Sequence, residues 1–261
     1  MRVLGLTGLL LCGCLARPVF EPVGGFELVN APERSGWSEH GARELETWLA
    51  DARRAVEPIA DYSATLETRE RIEDALYPRR VLALRVAESP FRVAAETLEP
   101  PSEKGQRVWY DASRRGGTLQ ARTPGFLGGL VGTVTLDPDG DLAMENRRHP
   151  IRDIGLRRLL EQVEEGFRPA LRHRPPPRIR GIATELDERP TRLVEALVSR
   201  EPPDSALVYR FGFDGPSGLL VYYGLAELLP DGPALVEEYL YRDVRTDLGL
   251  PPETFRPGTD D

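Results

Sequence analysis

The pattern of apolar and polar positions predicts two amphipathic helices. Apolar residues recur at three- and four-residue spacing over residues 40–57, and Pro58 ends that pattern. Over residues 151–171, apolar residues from Ile154 to Phe167 fall on one side of a helix, and arginines and glutamates cover the other. Each helix therefore has one face to bury against another element.

The rest of the body is predicted to be extended. Its segments alternate apolar and polar residues or are rich in β-branched and aromatic residues, and turn-forming pairs such as Ser89-Pro90 separate them. The predicted strands cover residues 61–72, 80–88, 91–98, 105–111, 117–122, 131–136, 179–187, 191–200, 205–213, 217–228 and 234–247. Strands that follow one another at this spacing predict an antiparallel sheet.

Two consecutive strands near the C-terminus each carry a continuous apolar face. The side chains on these faces are Leu207, Tyr209, Phe211 and Phe213 in the first strand and Leu219, Val221, Tyr223 and Leu225 in the second. Such a surface must be removed from water, and the two predicted helices are the elements that can cover it. We therefore predict an α+β domain with one strongly curved antiparallel sheet and helices on its concave side.

The first fourteen residues have the order of a secretory signal. Arg2 precedes an apolar run over residues 3–11, which is shorter than the ~20 residues that cross a bilayer. The run ends in Leu-Cys-Gly-Cys at residues 11–14, which resembles the bacterial lipobox. Cys14 fits the lipid-bearing position better than Cys12, because a small glycine precedes it. The alternative is a short buried N-terminal helix with two incidental cysteines.

A lipid on Cys14 sets the predicted organisation and location. We expect a lipoprotein signal peptide at residues 1–13, a tether rich in proline and glycine at residues 14–39, and a single domain at residues 40–257. Leu15 is not the aspartate that commonly retains lipoproteins at the inner membrane. The predicted location is therefore the cell envelope, on the outer membrane facing the periplasm.

Composition narrows the expected partners. Acidic residues outnumber basic ones by 42 to 34, and the basic residues are scattered. A nucleic-acid partner is not expected, because phosphate binding needs a concentrated positive face. Both cysteines lie in the first fourteen residues, so the remaining chain has no disulfide and no cysteine metal site. We expect a monomer without metal or cofactor.

No catalytic motif is found, and no enzymatic activity is expected. His40, His149 and His173 form no HExxH pair. Residues 215–218 lack the spacing of a GxSxG nucleophile elbow and are predicted to form a hairpin turn. No Gly-Lys-Ser/Thr follows the glycine-rich residues 125–132, so a phosphate-binding loop is not favoured. For His149 a structural role is favoured over catalysis.

Three aspartates, Asp137, Asp139 and Asp141, stand two residues apart, as at the start of a calcium-binding loop. The glutamate that such a loop needs at its twelfth position would be Arg148, a cation. A hairpin turn is therefore the preferred interpretation of this segment.

Several stretches together resemble a known family. They are residues 61–71, 133–140, 142–151 with 154–156, and 235–241. In them the chain is similar to an uncharacterised bacterial family, domain-of-unknown-function family 1571, over residues 45–257. The run Met-Glu-Asn-Arg-Arg-His-Pro-Ile at 144–151 is its most specific part, although His149 replaces the usual tyrosine. The family is similar to periplasmic lipoprotein carriers and receptors, which implies a half-open β-barrel with a helical lid that holds acyl chains.

The favoured hypothesis is an envelope lipoprotein that binds lipid or lipoprotein acyl chains, since each methylene removed from water contributes ~0.8 kcal/mol. The candidate pocket side chains are Leu82, Leu84, Phe91, Val93, Tyr110, Tyr209, Phe211, Phe213, Val221 and Tyr223. A protein core needs the same apolar face, so the alternative is a structural or interaction lipoprotein with a filled core that recruits an envelope protein. An envelope hydrolase comes third, and would require exposed carboxylates around His149.

Overall fold

The computed structural model describes most of the chain from residue 41 onward. The described residues are 41–114, 117–124, 132–172, 175–186, 188–199, 206–229 and 232–258. The predicted signal peptide, the lipid site Cys14, the tether, His40, His173 and most of the glycine-rich segment lie outside these ranges. None of the described helices is both long enough and apolar enough to span a membrane.

The elements follow the predicted order closely. Helices α1, α2 and α3 cover Gly41–Val56, Asp141–Met144 and Leu156–Leu171, and short 3-10 helices cover Ile151–Asp153 and Pro252–Phe255. The strands are β1 Asp61–Ile72, β2 Ala75–Leu76, β3 Arg80–Glu88, β4 Phe91–Glu99, β5 Arg107–Asp111, β6 Thr118–Arg122, β7 Val134–Leu136, β8 Arg178–Leu186, β9 Arg189–Ser199, β10 Ala206–Asp214, β11 Leu220–Leu229 and β12 Gly232–Thr246. The short β2 and α2 were not predicted.

One antiparallel sheet contains all twelve described strands. Its order is β7-β6-β5-β4-β3-β1-β12-β11-β10-β9-β8, and β2 pairs with the end of β1. Two meanders are therefore joined where β1 lies beside β12, with Leu66 opposite Tyr241 and Glu70 opposite Glu237. Within the described residues β7 and β8 do not pair with each other, so the barrel is open. The predicted α+β fold with a half-open β-barrel is confirmed.

Helices α1 and α3 cover the concave face over the half formed by β8–β12. Phe167 of α3 is 1% exposed, and its ring centroid lies 5.0 Å from that of Tyr209 and 5.2 Å from that of Phe211, both edge to face. Aromatic pairs of this kind contribute about 0.5–1.5 kcal/mol beyond the area they bury. Trp48 of α1 packs on Phe213 with the rings tilted by 52° and their centroids 6.3 Å apart. Under α1 and α3 the concave face of this half is filled by its own side chains, and a cavity of about 140 Å³ remains beside Asp214 and Arg242.

Helix α3 begins five residues later than predicted. Gly155 has a φ of 132°, a conformation that L side chains rarely adopt, so the helix cannot extend back through it. The backbone N–H of Gly155 donates to the Tyr241 hydroxyl at 2.9 Å, and that of Leu156 donates to the Tyr62 hydroxyl at 2.7 Å. Two buried tyrosines thus satisfy N–H groups that a helix start leaves without a partner.

The convex side is closed by the end of the chain. The Asp61 carboxylate accepts from the backbone N–H of Leu248 at 2.7 Å and of Leu250 at 2.9 Å. Phe255, which is 2% exposed, packs with Trp109 and its neighbours on the outer side of β3–β5. These contacts attach the C-terminal segment to β1 and to the outer face of β3–β5.

Candidate functional site

A cleft lies under the segment of residues 141–154, which connects β7 to α3. This segment covers the concave face of β3–β7, and α3 adds Leu159 and Gln162 to the wall of the smaller cavity described next. The cleft contains two adjoining cavities of about 90 and 40 Å³, and Leu82, Arg147, His149 and Ile154 line both. The apolar walls of the larger cavity are Leu82, Ala95, Val108, Leu119, Ala121 and Leu136 from the sheet and Leu142, Ala143, Ile151 and Ile154 from the covering segment.

A polar network fastens this segment to the sheet. His149 Nε2 lies 2.9 Å from Glu237 Oε2, and Arg148 Nε donates to the same oxygen at 2.9 Å. The Tyr239 hydroxyl donates to Glu70 Oε1 at 2.5 Å, and the backbone N–H of Arg148 donates to Glu70 Oε2 at 3.3 Å. We call Glu70, Arg148, His149, Glu237 and Tyr239 the latch.

The electrostatics of the latch favour its ionised form. Burial opposes charge on the His149 ring, but the hydrogen bond to Glu237 and the nearby carboxylates raise the pKa of His149 above its usual value. Burial likewise opposes charge on Glu237, but the hydrogen bond to His149 and the charges of His149 and Arg148 lower the pKa of Glu237. Burial, aided by the charges of Glu237 and Glu70, raises the pKa of Tyr239 well above its usual value. The tyrosine therefore stays a neutral donor.

The arrangement holds the segment and leaves little room for proton transfer to a substrate. Glu70 and Glu237 surround His149, as a hydrolase would require, but each is only 7% exposed and each already accepts from latch donors. In the described ranges no group of three or more His, Cys, Asp and Glu side chains could hold a metal ion. The latch thus attaches residues 141–154 to strands β1 and β12.

Arg147 is next to the latch residues in sequence but does not belong to the latch. Its side chain lines both cavities, and none of the residues that the structure describes forms a side-chain hydrogen bond or ion pair with its guanidinium. Burial and the positive charge of Arg80 lower the pKa of Arg147, and the negative charges of Glu103 and Glu70 offset only part of that effect. Arg80 itself pairs with the Glu103 carboxylate, at 2.9 and 3.2 Å. Arg147 is therefore a partly buried cation facing an apolar cleft.

The ten predicted pocket residues share one face, and the structure places them in different surroundings. All ten belong to the concave core or pack against it. Leu82 lines the cleft, and Val221 lines a separate cavity of about 140 Å³ beside Asp214 and Arg242. Phe91 packs on Tyr110, with ring centroids 6.1 Å apart. Tyr209, Phe211, Phe213 and Tyr223 lie among the aromatic contacts that fill the β8–β12 half. Leu84 and Val93 are buried in the same core.

The predicted turn at residues 137–141 is a turn but not a hairpin. The backbone N–H of Asp139 donates to Asp137 Oδ1 at 3.0 Å, and α2 begins directly afterwards at Asp141. No strand follows, because this turn leads into the covering segment. Residues 215–218 do form the predicted hairpin turn between β10 and β11, closed by the Gly218 N–H donating to the Asp214 carbonyl at 2.8 Å.

Sequence reasoning missed the latch residues and Arg147 as a group. A signal existed, because the three stretches 61–71, 142–151 and 235–241 that carry the family resemblance meet here. Glu70 comes from the first, Arg147 to His149 from the second, and Glu237 and Tyr239 from the third. The most characteristic parts of the sequence thus build one site.

Comparisons with solved structures find remote similarity. A DUF1329 family protein from Desulfovibrio piger is 10% identical, covering 81% of this chain and 96% of that one, with a TM-score of 0.40. An uncharacterised conserved protein from Thermus thermophilus is 9% identical, covering 83% and 96%, with a TM-score of 0.43. The lipoprotein LppX from Mycobacterium tuberculosis is 10% identical, covering 77% and 95%, with a TM-score of 0.40.

None of the curated proteins matches this sequence. A family model described as "Protein of unknown function (DUF1571)" matches residues 59–261. The match includes every strand of the sheet, the latch and the cleft. It confirms the resemblance found from the sequence, and the chain therefore belongs to the DUF1571 family.

Proposed function

We propose that this protein is an envelope lipoprotein, anchored by lipid on Cys14, that binds an acyl chain of a lipid or lipoprotein in the cleft under residues 141–154. The observation that carries the proposal is the pairing of an apolar sheet surface with a cover that is not a packed helix. Each methylene placed there would contribute ~0.8 kcal/mol. Binding of this kind needs no catalytic group.

The cover must move for a chain to enter. The cavities of about 90 and 40 Å³ are smaller than the ~300–1,000 Å³ of small-molecule sites. Residues 141–154 contain only a four-residue helix and a three-residue 3-10 helix, and Leu142 is 74% exposed. Local openings involve regions with few buried apolar contacts, which describes this segment better than α3. The latch would hold it closed until a ligand displaces it.

The anchor suggests a resident or receptor-like role. A shuttle that carries cargo across the periplasm must diffuse, whereas a protein that accepts cargo at a membrane surface can be tethered there. The Leu-Cys-Gly-Cys sequence at residues 11–14 and the absence of an aspartate after Cys14 support attachment to the outer membrane. A tether of the predicted composition would leave the domain free to reorient above the bilayer.

Acyl binding can be tested by titrating the delipidated full chain with a fluorescent fatty acid, alongside native mass spectrometry of detergent-free protein. Ala121→Phe should fill the larger cavity and weaken binding about tenfold or more, because the new ring takes the ligand's place. Ala75→Phe, at an exposed position on β2, is the matched control and should bind like the wild type. The proposal is refuted if the wild-type protein neither co-purifies with lipid nor binds the fatty acid.

A second candidate is favoured by the filled β8–β12 half. There Phe167, Trp48 and their neighbours occupy the space that an acyl chain would need. An interaction lipoprotein with a filled core would recruit an envelope protein through its surface. Crosslinking in the native envelope separates the two candidates: recovery of one protein partner without lipid supports the second, and recovery of lipid supports the first.

A further inference from the structure

The cleft contains the Arg147 guanidinium, with which none of the described residues forms a hydrogen bond or an ion pair. Glu237 is taken by His149 and Arg148, Glu70 by Tyr239 and the Arg148 backbone, and Glu103 by Arg80. Asp153, which lines the smaller cavity with Arg147, lies 4.0 Å from Arg152 Nε. Each of these four carboxylates thus has a partner other than Arg147.

Leaving a cation in an apolar wall costs free energy unless something pairs with it. Nearby Arg80 increases that cost, because it carries the same charge. Burial and Arg80 together lower the pKa of Arg147, although the charges of Glu103 and Glu70 oppose them. A cavity wall that keeps such a residue without a hydrogen-bond or ion-pair partner among the described residues has the electrostatics of an anion site. The surrounding walls supply the apolar part, and Thr97 and Gln106 line the same cavity as neutral hydrogen-bonding groups.

We propose that Arg147 binds the anionic headgroup of a single-chain amphiphile, a carboxylate or a phosphate, whose acyl chain occupies the apolar cleft. The proposal rests on the proposed acyl-binding function and names the class of ligand that it takes. Arginine suits this role because its planar guanidinium can donate two parallel hydrogen bonds to either group. Sites of this kind combine apolar walls with a few placed polar groups that fix the ligand's orientation.

The test compares two probes on the delipidated full chain: dansyl-labelled undecanoic acid and its methyl ester. The wild type should bind the acid about tenfold or more tightly than the ester, since only the acid presents a charged acceptor to the guanidinium. Arg147→Met should weaken acid binding to the level of the ester and leave ester binding unchanged. Arg147→Lys should restore part of the preference. Arg85→Met, an exposed arginine on the outer face of β3, is the control and should keep it.

Folding of the variant is checked by its melting temperature without ligand. Removing an unpaired, partly buried cation should leave the melting temperature unchanged or raise it. A large decrease would show that Arg147 has a partner in the protein and would contradict the proposal.

The remaining outcomes distinguish failure of the headgroup site from failure of acyl binding and from binding of a free anion. If acid and ester bind equally and Arg147→Met changes neither, acyl binding stands and the headgroup site is wrong. If neither probe binds, the acyl-binding function fails and this proposal fails with it. If acetate or inorganic phosphate alone raises the melting temperature through Arg147 as much as the acid does, the site is for a free anion, and the amphiphile is excluded.

Discussion

At the scale of single residues, the latch brings together charges that are far apart in the chain. His149 and Glu237 are 88 residues apart, and Arg148 and Glu70 are 78 apart. The two carboxylates are buried, so each is stable there only with its donors in place. The charge of His149 therefore adds to the attachment of residues 141–154, beside the hydrogen bonds that Arg148 donates.

The latch should be strongest in a defined pH window. The folded pKa of His149 is raised, so its contribution is fully present below its unfolded value of about 6.5 and is lost as the pH rises through the folded value. The folded pKa of Glu237 is lowered, so its contribution is present above about 4.5 and is lost as the pH falls through the folded value. Both contributions are complete between about pH 4.5 and 6.5.

The measurement is the free energy of unfolding of the wild type and of His149→Gln across this range. We expect the wild type to be more stable by about 1 kcal/mol near pH 5.5, a modest value because the His149 side chain is 35% exposed. The difference should shrink as the pH rises well above 7. A difference that stays constant from pH 5 to 9 would show that the ring charge does not hold the latch.

At the scale of elements, α3 and the segment before it cover the same sheet in different ways. Helix α3 buries a full apolar face, including Leu159, Val163 and Phe167, against β10 and β11. The preceding segment is attached mainly by the latch and by apolar residues at the cleft. The difference predicts that the two parts of the cover have different stabilities.

Phe167→Ala tests the role of α3. The ring is 1% exposed and contacts two aromatic rings, so the substitution should lower the free energy of unfolding by about 3–5 kcal/mol. Leu142→Ala in the covering segment is the control, and should change it by less than about 0.5 kcal/mol because that side chain is 74% exposed. Urea denaturation of both variants gives the comparison. Equal effects would mean that the cover is one cooperative unit.

At the scale of the whole molecule, the proposed anchor and the proposed cleft are associated with different halves of the barrel. The proposed lipid site Cys14 precedes α1 in the sequence, and α1 packs against α3 and β8, on the filled half of the barrel. The cleft belongs to the β3–β7 half. A tethered domain of this shape would keep its cleft free while the filled half carries the link to the membrane.

The anchor prediction concerns Cys14 alone. Cys14→Ser should abolish incorporation of a clickable palmitate into the protein and release it from the membrane fraction, because no thiol remains at the lipobox position. Cys12→Ser is the matched control, two residues away, and should keep both properties. Label that persists in Cys14→Ser and disappears in Cys12→Ser would move the attachment site to Cys12.

Local sequence determined most of the elements. Both long helices and eleven strands follow from periodicity, since the spacing of apolar residues depends only on near neighbours. The start of α3 was misplaced because Gly155 takes a positive φ and because Tyr62 and Tyr241, distant in sequence, accept its first N–H groups. The family resemblance added the half-open barrel to the curved sheet and concave helices that the pattern predicted.

The sequence by itself also determined the lipobox-like N-terminus and the continuous apolar faces, because both are patterns of adjacent or alternating residues. Only the tertiary structure decided which strands pair, with β1 closing on β12, and which apolar residues fill the core and which line a cleft. Only the tertiary structure shows that Glu70 and Glu237, among 42 acidic residues, are the ones that accept the latch hydrogen bonds. It also shows that Arg147 faces the cleft. Which distant charges pair depends on how the strands come together in the folded chain, and no local sequence pattern encodes that arrangement.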